Sequence, residues 1–424
     1  MMSIIDGLIQ DIPLPRLVKV HQKFYAPEVA DVPATLRQQL AQPGIIDSIK
    51  PGMNIAIAVG SRGVADIPIL TRVIVEEVKK QGGKPFVVPA MGSHGGATAE
   101  GQRMVLENLG VTEATVGCPI KSSMEVVEVG RLPNGLAVLI DKNAYEADGI
   151  IVINRVKAHT AFRGPCESGM AKMITIGLGK QKGADACHAY SFKYMAEHVV
   201  EMAKIKIKQT NILFGVGTIE NAYERIAKIV AVPAAKIIET DQQMLVEANT
   251  RMPRILFDAM DVLVVTQIGK DCSGDGMDPN ITGRYPTPYA SGGPEVAKLV
   301  VLDLTNATHG NANGMGAGDF TTKKLFNKID FEATYANALT STICKPILIP
   351  MILADDRAAI KAAVKTCNSR DIAKAKVVII KDTMHLGEIY ISESLLTEAL
   401  ANPNIEVISE SEVMKFDKGG NLIL

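Results

Sequence analysis

Tryptophan is absent from the 424 residues, and aromatic residues together make up only 4% of the chain. A protein that grips nucleic acid by stacking on bases needs more aromatic surface than that. Charge of one sign is also missing. The chain has 45 Lys+Arg against 46 Asp+Glu and a formal net charge of −1, so it has no electrostatic pull on nucleic acid or an anionic membrane. No apolar run approaches the roughly 20 residues that cross a bilayer, and residues 347–354 form one of the longest. The opening MMSIIDGLIQDIPLPR has neither the basic start nor the sustained apolar core of a signal peptide. Six cysteines without a CxxC pair fit a reducing compartment better than a disulfide framework. The expectation is a soluble, cytoplasmic protein with no nucleic-acid partner and no membrane partner.

The sequence does contain alternating short β-branched runs and helical stretches. Asn54–Val59 (NIAIAV) reads as a buried strand, Ile67–Lys80 follows with helical periodicity, and Gly82-Gly83 closes it. Lys84–Pro89 is the next strand, and Thr98 opens a further helix that ends before Gly110. Strand, crossover helix and strand indicate a parallel sheet. More strands are expected at Ala137–Asp141, 149–154 and 212–216, and a break falls at 250–253. A second α/β series begins at 262–266 (VLVVT) and continues through 297–304, 346–353, a helix at 356–366 and a strand at 377–381. Residues 304–319 are rich in Gly and Asn and read as a loop. The chain is thus expected to be an α/β protein of two domains, 1–250 and 251–424, with largely parallel sheets and an active site in the crevice between them.

Ligands of open parallel sheets gather beyond the carboxyl ends of strands. Four polar clusters fall there: Ser61-Arg62, Ser93-His94, 157–159 with Lys157 and His159, and 267–270 with Gln267 and Lys270. The densest stretch runs KAHTAFRGPCESGMAK from Lys157 to Lys172 and on to His188 and Tyr190. It offers a base in His159, an amine in Lys172 and a metal ligand in His188, although the GLGKQKG run at 177–183 also reads as a flexible surface loop with solvated lysines. That run lacks the spacing and final hydroxyl of a GxxxxGK[ST] phosphate loop. His21, His198 and His385 read as structural or solvated. His309 sits in the Gly/Asn-rich loop. Cys166 and Cys187 match no common zinc spacing and read as small buried residues. Arg155 and Arg163 either hold a second acidic group or line the surface.

From Arg62 to at least Lys270 the chain resembles the nickel-pincer-nucleotide-dependent lactate racemases and their 2-hydroxyacid racemase and epimerase relatives. Arg62 matches the family's arginine after its first conserved strand. His94, in a Gly-Ser-His context, and His159 resemble its two catalytic histidines. Lys172, in Ser-Gly-Met-Ala-Lys, resembles the lysine that holds the cofactor covalently, and His188 stands where the family's nickel ligand does. Gln267 and Lys270 match a Gln-x-x-Lys pair that, like Arg62, helps hold the substrate. Val59 replaces the family's aspartate three positions before the arginine, the His159–Lys172 interval is somewhat longer, and an active-site tryptophan has no counterpart.

The resemblance implies an isomerase that inverts C2 of a 2-hydroxycarboxylic acid. It would do so by reversible hydride transfer to a nickel-pincer nucleotide, a pyridinium mononucleotide carrying Ni, that cofactor-synthesis enzymes supply. Loss of hydride while a base takes the hydroxyl proton leaves a neutral 2-keto acid, which avoids a carbanion beside a carboxylate. Inversion then calls for two acid/base groups near neutral pKa. Two alternatives use the same residues: a metal-dependent hydrolase built on His94, His159 and His188, and a non-catalytic carrier of the nickel nucleotide.

Overall fold

The computed structural model describes residues 4–61 and 64–424. The chain forms two compact units, residues 25–252 and residues 1–24 together with 253–424. The first strand, β1 (Leu17–Gln22), therefore lies outside the unit that the sequence pattern assigned to 1–250. Val18 and Val20 are buried in the core of the terminal unit. The Gln22 amide donates to the carbonyls of Arg254 and Leu386 and accepts from the Leu256 N–H. Pairing across more than 230 residues leaves no local mark, so periodicity alone does not reveal it.

Within 25–252, β2 (Asn54–Val59), β3 (Lys84–Pro89), β6 (Gly149–Arg155), β7 (Ile212–Glu220) and β8 (Ile226–Pro233) make one sheet, while β4 (Val126–Arg131) and β5 (Ala137–Asp141) pair separately. The five-stranded order is β3-β2-β6-β7-β8, parallel except for β8. Ile55 to Val59 and Ile150 to Ile153 are buried without alternation, as strands covered on both faces must be. The helix Ile67–Lys80 places Leu70, Val73, Ile74 and Val78 on its buried face. Pro68 suits its first turn, Lys79 and Lys80 suit its last, and Gly82 at φ +79° allows the chain to turn out.

The terminal unit is built on an eight-stranded sheet. Its other strands are β9 (Ala259–Val265), β10 (Glu295–Val301), β11 (Phe320–Thr322), β12 (Met351–Leu353), β13 (Val377–Ile380), β14 (Glu388–Ser392) and β15 (Ile405–Val407). The order is β12-β11-β10-β9-β13-β14-β1-β15, parallel through β13 and antiparallel beyond it. The strand expected over 346–353 shortens to Met351–Leu353, because Pro346 starts a 3₁₀ turn at Lys345–Ile347. The loop at 304–319 contains two such turns and buries Ala312 and Met315. Among the described residues no helix is long and apolar enough to cross a membrane.

Candidate active site

In the 25–252 unit the chemistry-bearing residues follow the carboxyl ends of adjacent parallel strands. Ser61 follows β2, His94 follows β3, and His159 follows β6. Arg62 lies outside the described residues. The loops they occupy approach closely: a Cβ on Gly60 would stand 2.6 Å from Met173 Cε and 4.0 Å from the Ala90 carbonyl. A side chain there would have to displace the flexible end of Met173, while the backbone of the neighbouring strand end stays at ordinary contact distance.

His94 is exposed, and its Nδ1 hydrogen-bonds the Ser61 hydroxyl. His159 is half-buried against Phe162, with ring centroids 4.5 Å apart. Its Nδ1 accepts the Ala161 N–H at 3.0 Å, which assigns the proton of the neutral ring to Nε2. The buried Glu167 carboxylate shapes this loop by accepting the His159 N–H at 2.8 Å, the Gly164 N–H at 3.1 Å and Arg163 Nη1 at 3.2 Å. Arg163 thus braces the loop. Arg155 pairs with Glu220, whose second oxygen accepts the Ala65 N–H just after Arg62-Gly63.

Lys172 ends a helical turn, Met170–Lys172, that runs directly into a π-helical stretch, Met173–Gly177. Such wide turns recur at functional sites. The turn is seated by Asp241, a buried residue of the helix Ile237–Arg251 whose carboxylate accepts the N–H groups of Met170 at 3.2 Å and Ala171 at 2.6 Å. Burial, opposed by these two bonds, pushes Asp241 up to about 7. The buried ammonium of Lys206 donates at 2.8 Å to the carbonyls of Ile174 and Thr175. Burial brings it down to about 7.

His188 closes the helix Lys180–His188 and packs on Phe192 at 5.3 Å, while His159 faces the same phenyl ring at 6.3 Å. Burial chiefly, with the Ala184 backbone opposing and the Lys172 charge adding, lowers His188 to about 4. The imidazole is therefore neutral at physiological pH, as metal ligation requires. Its Nδ1 is buried and has no hydrogen-bond partner among the described residues. A neutral imidazole with an orphaned nitrogen, within electrostatic reach of the Lys172 amine, has the chemistry of a metal ligand. Burial pushes the thiols of Cys166 and Cys187 up to about 12, so both stay protonated, in line with their reading as small buried residues. A zinc hydrolase would need three protein ligands in one place, and among the described residues no three His, Cys, Asp or Glu side chains converge in that way.

The terminal unit carries Gln267 and Lys270 just beyond β9. Gln267 Nε2 donates to Asp382 Oδ2 at 3.2 Å, and the other oxygen of this buried carboxylate accepts His385 Nδ1 at 2.7 Å. Burial alone would raise Asp382. The bonds from His385, the Met384 N–H and Gln267 outweigh it and keep the carboxyl below its usual range. Lys270 Nζ donates to the Gly274 carbonyl at 2.6 Å. His385, expected to be structural or solvated, is thus tied to Gln267 through one carboxylate. His198 is structural, bonded to the Cys187 carbonyl at 3.1 Å and stacked on Tyr194.

Sequence reasoning missed Glu167, Asp241, Phe192 and Asp382. Glu167 had a signal, as an acid inside a basic segment. Asp241 had none, being distant in sequence from the turn it seats. The surface-loop alternative for 177–183 is overturned at Lys180, which is completely buried, although Lys182 is exposed.

Residues 10–199 match the family model described as the lactate racemase N-terminal domain. Among solved structures, the lactate racemase apoprotein from Thermoanaerobacterium thermosaccharolyticum is similar with a TM-score of 0.51. That match covers 87% of this chain and 98% of its own at 14% identity, a likeness of fold. Comparison with curated sequences gives no match.

Proposed function

We propose that this chain, whose residues 10–199 match the lactate racemase N-terminal domain, is a racemase or epimerase acting at C2 of a 2-hydroxycarboxylic acid. The observation that carries the proposal is the buried, unbonded Nδ1 of a neutral His188 whose ring shares Phe192 with His159 and feels the charge of Lys172. In this reading Lys172 is the covalent attachment point of the nickel-pincer nucleotide and His188 its protein ligand to nickel. When bound, that group supplies a hydride acceptor.

The chain's own residues do the remaining work. A racemase needs one imidazole that accepts a proton and one that donates at any instant. His94 presents a lone pair at Nε2 when its Nδ1–H donates to the Ser61 hydroxyl. In neutral His159 the Ala161 N–H keeps the proton on Nε2, where it can hydrogen-bond the substrate oxygen. To return a proton the ring must first be doubly protonated, so that it ends as a neutral imidazole and not as an imidazolate. Glu167 holds the His159 backbone while this happens. Arg62 and Lys270 are assigned to the substrate carboxylate, the arginine through a paired contact that suits a guanidinium, and Gln267 to its orientation.

The test is intact mass and nickel content of protein produced alongside cofactor-synthesis enzymes, with Lys172→Ala as control. The expected outcome is an added nucleotide mass on the wild type only, with about one nickel per chain, followed by turnover in a screen of chiral 2-hydroxyacids. No adduct and no nickel, under conditions that load a lactate racemase, would overturn the assignment.

A further inference from the structure

Lys180, Asp141 and Gln102 are completely buried, and none has a part in the chemistry described so far. Ionised groups persist in a protein interior only with compensating contacts. Lys180 Nζ lies 3.2 Å from Asp141 Oδ2, donates to the Pro89 carbonyl, and donates at 2.8 Å to Gln102 Oε1. The Gln102 amide in turn donates from Nε2 to the Gly92 carbonyl at 2.8 Å and to the His94 carbonyl at 3.2 Å. A continuous polar chain therefore runs from the end of β5, through the lysine, to the backbone of His94.

Lys180 also belongs to the helical run that contains Lys172 and His188. Its φ of +55° is a left-handed conformation that a lysine adopts only at a cost, so the surrounding bonds must hold it there. A second tie joins the same two segments, the Gly92 N–H donating to the Gly177 carbonyl at 3.1 Å. The His94 side chain is exposed, so where the imidazole can reach depends on this backbone anchor together with its bond to Ser61.

We propose that Lys180, Asp141 and Gln102 are positioning residues that fix His94 relative to the helix carrying Lys172. The proposal rests on the reading of His94 as a proton-moving group, and its physical basis is that misplacing such a group by about 1 Å can cost on the order of 100-fold in rate.

The test is Gln102→Glu. This change keeps the side chain's size and leaves Lys180 a carboxylate partner, but it removes both donors to the Gly92 and His94 carbonyls. In loaded enzyme, with the 2-hydroxyacid that the wild type turns over, kcat falls by about tenfold or more. KM stays within about twofold, while nickel and the Lys172 adduct remain at wild-type levels. In protein labelled with ¹⁵N-histidine, the His94 ring signal, assigned with His94→Gln, moves while the signals of the other six histidines stay. A merely structural role would lower the melting temperature without moving that signal.

Should Gln102→Glu not fold, Gln102→Met removes the same donors with an apolar chain and is read in the same way. An unmoved His94 signal, or a loss of turnover that tracks loss of the adduct, overturns the proposal. If the wild type has no racemase activity, the ring signal still decides the positioning claim.

Discussion

Replacing Lys180 with methionine isolates the energetics of the buried polar chain. Methionine fills similar space but leaves Asp141 as a buried anion without its cation, and it deprives the Pro89 carbonyl and Gln102 Oε1 of a donor. Removing one partner of a buried ion pair costs roughly 3–5 kcal/mol, a large share of the roughly 5–15 kcal/mol that holds a domain together. Asp141 Oδ1 accepts the Ala144 N–H at 2.9 Å, and Oδ2 faces the Lys180 ammonium at 3.2 Å, so losing the ammonium leaves that oxygen without its counter-charge.

Burial raises the Asp141 carboxyl, opposed first by the Lys180 charge. Without the lysine its folded pKa stands further above the unfolded value near 4. The variant's deficit should therefore be smallest near pH 4 and widen as pH rises, because folding then has to bury an anion. Adding Asp141→Asn removes that anion, and the double variant should regain most of the loss. With no tryptophan in the chain, urea unfolding is followed by far-ultraviolet circular dichroism at pH 4.5 and pH 8. A single variant within about 1 kcal/mol of wild type at pH 8, or a double variant no more stable than the single, would refute the reasoning.

Asp241, raised to about 7 by burial, makes stability pH-dependent in a defined direction. The unfolded carboxyl loses its proton near pH 4, so stability falls from about pH 4 to pH 7 by at most about 4 kcal/mol and is flat above. Asp241→Asn should flatten that slope, and pH profiles parallel to wild type would count against it. In the terminal unit, Asp382→Asn replaces the acceptor shared by Gln267 and His385. Losing hydrogen bonds of about 0.5–1.5 kcal/mol should raise KM for the hydroxyacid by roughly 3- to 10-fold with nickel content unchanged. An unaltered KM would separate Gln267 from substrate binding.

Local chemistry settled much of this protein in advance. Unbroken apolar runs such as NIAIAV require strands covered on both faces, and the glycine at 82 ends its helix whatever else surrounds it. His94 and His159 were legible as strand-end residues because each follows a strand that the sequence itself marks, whereas the helical run that carries Lys172 and His188 was not marked. Tertiary structure alone decided the rest. Whether Lys180 in a Gly-rich run faces water or a buried carboxylate depends on Asp141 and Gln102, which are remote in sequence. That His188 has a neutral, unbonded nitrogen follows from the packing around it rather than from its neighbours in the chain. The place of β1 follows the same rule, since Val18 and Val20 are ordinary strand residues until β14 and β15 flank them. Periodicity describes what a segment can bury, whereas burial of charge and pairing of strands depend on which distant segment arrives.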